Sequence, residues 1–259
     1  MNKAIMYLLL AVGIMLGMVF VGGALLGFVS GFVDGFSSMP EGSTNTKSLM
    51  AYGTMILILM VCLVLHWVFL RSGFACYTMG RIPDGTWWKI VLPLVLVEVG
   101  LALICMRVEQ ESGGERLMSS ITEFIKDSPL QVFVCFIAQE AISAMVIYGA
   151  VLRELLEWKH RPQIIIPVAL VVVALINWLN VPTPWLIIPI VLAALIEMWT
   201  FECTRSFIPI LVSGVVFWLV YIFVPESSFS WWGMPLAVVL IVPSTLYLIR
   251  VMDRFRPID

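Results

Sequence analysis

Gln139-Glu140-Ala-Ile-Ser-Ala-Met-Val-Ile-Tyr148-Gly149-Ala-Val-Leu-Arg153-Glu-Leu-Leu156 is the run on which the fold turns. It lies inside 129–161, an apolar stretch long enough to cross a bilayer, yet it carries an acid near its middle. A carboxylate at the centre of a transmembrane helix costs about 2.5–3.5 kcal/mol even on the gentlest insertion scale. The fold must therefore compensate Glu140.

The rest of the chain agrees with a membrane setting. Hydrophobic residues make up 61% and charged residues 12%, with a mean hydropathy of +1.02, whereas about a quarter of the residues of an ordinary soluble domain are charged. This composition implies an integral membrane protein, all-α, embedded in the lipid bilayer. The formal net charge of −2 says little as a total, because orientation depends on the side on which each basic residue lies. No basic patch points to nucleic acid. Of the five cysteines, Cys62, Cys105 and Cys135 fall in apolar runs, and Cys76 and Cys203 fall in connections expected in the cytosol. Neither a disulfide nor a Cys-x-x-Cys metal site is expected. The first segment begins after Lys3 and stays apolar for longer than a signal-peptide core, so it is expected to remain as a transmembrane helix.

Apolar runs bounded by charge or by Pro/Gly clusters predict a polytopic bundle of about eight transmembrane helices, near 4–33, 49–70, 90–106, 130–152, 164–179, 185–199, 207–224 and 234–249. The Asn180-Val-Pro-Thr-Pro184 link allows only a tight hairpin between the fifth and sixth. With a cytosolic N-terminus, Lys3, Arg71, Arg81, Lys89, Arg153, Lys159, Arg161, Arg205, Arg250, Arg254 and Arg256 all lie inside. Only Lys47, Arg107, Arg116 and Lys126 then lie outside. That bias predicts that both termini are cytosolic and that the chain is a multi-pass protein of a cell membrane, the bacterial inner membrane being the expected one.

Gly23, Gly27, Gly31 and Gly35 recur every four residues on one face of the first span, a pattern for close helix packing. Over 114–127, Leu117, Ile121, Phe124 and Ile125 share a helical face opposite the charges, as in a short helix lying on the outer leaflet. Trp87-Trp88 and Trp231-Trp232 sit beside predicted span ends, where indole rings anchor at the interface. With no internal repeat and no low-complexity linker, the chain reads as one domain.

Four ionisable residues lie within or near the apolar runs: His66, Glu98, Glu140 and Glu197. At a rise of about 1.5 Å per residue, counting from Arg71, Lys89 and Arg153 puts His66 roughly 7 Å, Glu98 roughly 13 Å and Glu140 roughly 20 Å from the cytosolic boundary. If the second, third and fourth helices are neighbours, the three form a hydrogen-bonded cluster open to the cytosol. Such a cluster serves as a proton relay, a metal site or a general base, or else it is a set of acids each satisfied separately by a carbonyl or a serine. One His with two Glu is a legitimate ligand set, but the three stand on different helices with no motif spacing. No metal or cofactor is therefore assigned. Glu197 is expected near a cytosolic helix end, within reach of water.

From the fourth span onward the sequence resembles the CAAX-processing and bacteriocin-processing (CPBP) family of intramembrane endopeptidases. That family carries a Glu-Glu-x-x-x-Arg-Gly stretch, then a Phe-x-x-x-His, then a Thr-x-Ser-x-x-Pro lead-in to His-x-x-x-Asn. Tyr148-Gly149-Ala-Val-Leu-Arg153-Glu-Leu-Leu156 is similar to the part of the first motif after its glutamates, and Thr204-Arg-Ser206-Phe-Ile-Pro209 is similar to the lead-in. The segment 164–177 has the expected length and apolarity, and 81–89 fits the layout before the third span. The departures fall on the catalytic positions. Anchored on Gly149, the glutamate pair falls on Ser143 and Ala144 and the arginine on Tyr148. The first histidine falls on Asn177, and the last pair on Gly214 and Trp218, or on Ser213 and Phe217 one residue earlier. Setting Gln139-Glu140 against the glutamate pair instead puts Ala144 and Met145 at the arginine and glycine.

Glutamate-assisted hydrolysis needs a carboxylate to activate water and imidazole or amide groups to hold it or to stabilise the oxyanion. The resemblance thus implies a degenerate, non-catalytic relative. Such a protein would bind a transmembrane helix or a lipid-modified peptide, or would join other membrane subunits. Two alternatives stay open. One is an endopeptidase whose site has moved to Glu140, Glu98 and His66, and the other is a small proton-coupled transporter.

Overall fold

The computed structural model describes residues 85–112, most of 133–159, 162–180, 184–224 and 232–254, together with scattered positions between 6 and 68. Every regular element among them is helical. In order these are α1 (Trp88–Ser112), a π-helical segment (Ala144–Leu152) running into α2 (Arg153–Lys159), and α3 (Pro162–Asn180). They are followed by a 3₁₀ turn (Pro184–Leu186) leading into α4 (Ile187–Thr204), then α5 (Ile208–Phe223) and α6 (Gly233–Met252).

Three helical stretches, Trp88–Glu111, Pro184–Thr204 and Gly233–Met252, are long and apolar enough to cross a bilayer. At about 1.5 Å per residue they measure about 36, 32 and 30 Å, each at least the thickness of a hydrocarbon core. This is a membrane protein. Pro162–Ala174 and Ile208–Phe223 are shorter apolar helices.

The organising element is α1, whose apolar window is 67% buried, against 17% for α6. Ile90, Leu94, Val97 and Leu101 recur at helical spacing and are fully enclosed in one core. Ala102, Leu103, Cys105 and Met106 pack into a second core with Leu186, Tyr221 and Ala237. Helices α5 and α6 pack along α1, and α3 packs on α4. Helix α6 lies tight against α1 at Gly100, where a methyl group would stand 2.6 Å from Ile241 Cγ1 and 3.0 Å from the Ala237 carbonyl oxygen. Only a residue without a side chain allows that approach. On its outer side α6 exposes Val238, Val239, Val242 and Leu246, an apolar surface of the kind a lipid-facing span presents.

Several boundaries differ from the sequence expectation. Helix α1 continues past 106 to Ser112, carried by Arg107, which bonds Gln110 and Glu111 on the next turn. The span expected to end at 199 runs on to Thr204. No helix breaker intervenes, and α4 stops only where Arg205 adopts a left-handed conformation (φ 54°) and its N–H bonds the Phe201 carbonyl at 2.7 Å. Cys203, expected in a connection, is therefore buried in the last turn of α4. Thr204 and Ser206 close the corner: Ser206 N–H donates to Thr204 Oγ1 at 3.3 Å, and Thr204 Oγ1 donates to the Thr200 carbonyl at 2.8 Å. Pro209 then sits in the first turn of α5, where its missing N–H costs nothing. The residues 144–152, expected to continue an α-helix, form the π segment. Trp87 and Trp88 stand exposed at the start of α1, and Trp232 at the start of α6. Gly23, Gly27, Gly31, Gly35, His66, Trp231 and the stretch 114–127 lie outside the described residues.

Candidate functional site

Several enclosed or half-buried polar side chains of this bundle stand where α1, the π segment, α4 and α5 meet. Helix α5 supplies the wall. Its inward face repeats at helical spacing through Ile210, Ser213, Gly214, Phe217, Trp218 and Tyr221. Phe217 stacks on Tyr221 at 5.9 Å with rings 9° apart, and Trp218 meets both edge-on at 5.5 and 5.9 Å. Packed in this way, the indole presents its N–H to one neighbour. Trp218 Nε1 donates to Glu140 Oε1 at 2.5 Å.

One turn earlier on the same face, Gly214 makes the room. A methyl group there would fall 2.7 Å from Glu140 Oε2 and 3.2 Å from its Cδ, so the carboxyl of Glu140 rests directly on the Gly214 backbone. The compensation that Glu140 requires in an apolar helix is thus a notch and an indole N–H, both supplied by α5.

A second carboxyl is held in the same fashion. The hydroxyl of Tyr148 donates to Glu197 Oε2 across from the π segment to α4. Tyr148 is buried against Phe201, with ring centroids 6.1 Å apart. π-helical turns are rare and concentrate at functional positions, and this one carries the Tyr148-Gly149 pair.

Glu98 is the third acid. It reaches the same place from α1, is 2% exposed, and lies within the electrostatic field of Glu197 and Glu140. Its Oε1 has no hydrogen-bond partner. Further along α1, Cys105 and Glu109 continue the polar line on the same helical stripe, both buried. Among the described residues, no group of three or more His, Cys, Asp and Glu side chains is drawn together tightly enough to hold a metal ion.

Of the expected cluster, Glu98 and Glu140 interact electrostatically, and Glu197 acts on Glu98 as well. Glu197 was expected near a water-accessible helix end, but the continuation of α4 to Thr204 places it within the helix and against Tyr148. His66 and Ser143 lie outside the described residues, and the side chain of Asn177, on α3, does so too. Ala144 and Gly149 are buried in the π segment, and the half-buried Arg153 opens α2. In the shifted register, Ser213 donates to the Ile210 carbonyl at 3.0 Å and Phe217 belongs to the aromatic stack. What sequence reasoning missed is the role of the aromatic donors. Two signals pointed to them: a buried indole N–H or phenol O–H needs an acceptor, and the buried acids need donors.

Compared with protein-family models, curated proteins and solved structures, the chain finds no match in any of the three.

Proposed function

We propose that this chain is a multi-pass protein of the bacterial inner membrane, with about eight spans and both termini cytosolic. In this reading it has a CPBP-like scaffold, performs no hydrolysis, and binds or assembles with a transmembrane or lipid-modified partner. The observation that carries the reading is the contact of Glu140 with Gly214 and Trp218. Gly214 and Trp218 are the positions on which the last family motif falls. Glu140 is the one acid that an alternative register sets against the glutamate pair. These positions meet, as remnants of one site would, but a glycine and an indole stand where histidine and asparagine are needed. The carboxyl of Glu140 fills the notch and is tied to an indole N–H, and among the described residues no imidazole or amide side chain bonds it to position water there. What remains of such a scaffold is its capacity to receive a helix or an acyl chain.

The test is purification from a gentle detergent with quantitative mass spectrometry of what accompanies the chain. A stoichiometric membrane protein or lipidated peptide supports the reading. A chain that always elutes alone, or that cleaves a lipidated or transmembrane peptide and loses this activity on Glu140→Gln while keeping its fold, overturns it.

A second reading, proton-coupled transport, gains from the meeting of Glu98 with Glu197 and Glu140.

A further inference from the structure

The cluster has an asymmetry that hydrogen-bond chemistry makes informative. Glu140 and Glu197 each accept from a dedicated donor, the Trp218 indole and the Tyr148 hydroxyl. Glu98 is almost fully enclosed, has an oxygen without a partner, and interacts electrostatically with those two carboxyls. An ionised carboxyl only accepts hydrogen bonds, whereas a protonated one also donates. The charges acting on Glu98 are those of two other carboxyls, and the Tyr148 hydroxyl is already given to Glu197, so a charged Glu98 would set acceptor against acceptor. It is satisfied only by bringing its own hydrogen. Burial strengthens the argument, since an isolated charge in an apolar interior is far more costly than a neutral polar group.

We propose that Glu98, Glu140 and Glu197 form one intramembrane proton-binding site, in which Glu98 carries the proton and Tyr148 and Trp218 hold the other two carboxyls in place. The ligand is the proton, shared as a carboxylic O–H between Glu98 and its neighbours. The ionisable groups around Glu98 are Glu197 on α4, Glu140 ahead of the π segment, Tyr148 within it, and Cys105 on α1 itself. Among the described residues, no ionisable group of α5 or α6 acts on it. The proposal stands apart from the family resemblance and from the partner reading, and needs neither.

Infrared spectroscopy of the full chain in lipid nanodiscs at neutral pH tests it, because a protonated carboxyl has a carbonyl stretch distinct from those of ionised carboxylates and amides, and one that moves in D₂O. The expected result is such a band in the native chain, lost in Glu98→Gln and retained in Glu109→Gln. Because the glutamine amide reproduces the shape and donor of the neutral acid, Glu98→Gln should keep the native circular dichroism and gel-filtration profile. The proposal is overturned by the absence of a protonated-carboxyl band in the native chain, by a band unchanged in Glu98→Gln, or by a Glu98→Gln chain that no longer folds.

Discussion

Two glycines on neighbouring helices open space for an intruder, and what enters differs. At Gly100 the intruder is another helix: Ile241 and the carbonyl of Ala237, a backbone atom, lie where a side chain would go. At Gly214 it is the end of a flexible acid, the Glu140 carboxyl. The first glycine sets a distance between two helices and the second makes a seat for a polar group. In a medium where lipid tails are as apolar as leucine, close packing and the burial of polar groups do the work that the hydrophobic effect does in water. This bundle uses the smallest residue for both purposes.

The same substitution at the two sites separates them. Gly100→Ala forces α6 away from α1, because neither the Ala237 carbonyl nor the branched Ile241 side chain can retreat far. A loss of about 1–3 kcal/mol is expected, as for other overpacked cores, even after the roughly 1 kcal/mol gain in helix propensity that alanine brings. Gly214→Ala asks only a carboxyl to swing aside. It forfeits the Glu140–Trp218 hydrogen bond, worth about 1 kcal/mol, and the propensity gain offsets much of that. Thermal unfolding in one detergent should therefore rank Gly100→Ala well below Gly214→Ala, with the latter near the native chain. The opposite order would mean that the acid, not the helix crossing, is the fixed object.

How far the sequence reveals this arrangement depends on the kind of signal. The apolar spans are legible because length and hydropathy act on every residue of a helix. Even so, the ends of α1 and α4 read short, since a single Arg107 or Glu202 looks like a boundary while the backbone continues undisturbed to Ser112 and Thr204. That shortening removes Glu197 from the expected cluster. The need of Glu140 for compensation is legible from its cost alone. The π segment is not, since nothing in Ala144–Leu152 distinguishes a widened helix from an ordinary apolar one. Tyr148, Gly214 and Trp218 draw notice in the sequence as places where a motif has lost its chemistry. Their chemistry is different: two donors and a gap, which only their partners reveal.

The comparison sharpens at its weak end, where a polar pair lies outside the apolar seal. Arg107 bonds Glu111 through Nε and Nη2, each at 2.8 Å, with the side chains 33% and 63% exposed. The geometry is good, but the setting offsets it. The basic residue precedes the acid, the less favourable order on a helix, and Glu111 stands one residue from the C-terminus of α1, where the helix dipole disfavours negative charge. Exposed pairs at this spacing contribute about 0.3–0.5 kcal/mol, screened by salt. Glu111→Gln removes the pair and the unfavourable charge together, so the melting temperature should move little at low salt and not at all at high salt. If Glu111→Gln instead destabilised the chain as much as Gly100→Ala, and did so at every ionic strength, enclosure would not be what gives the inner polar groups their weight.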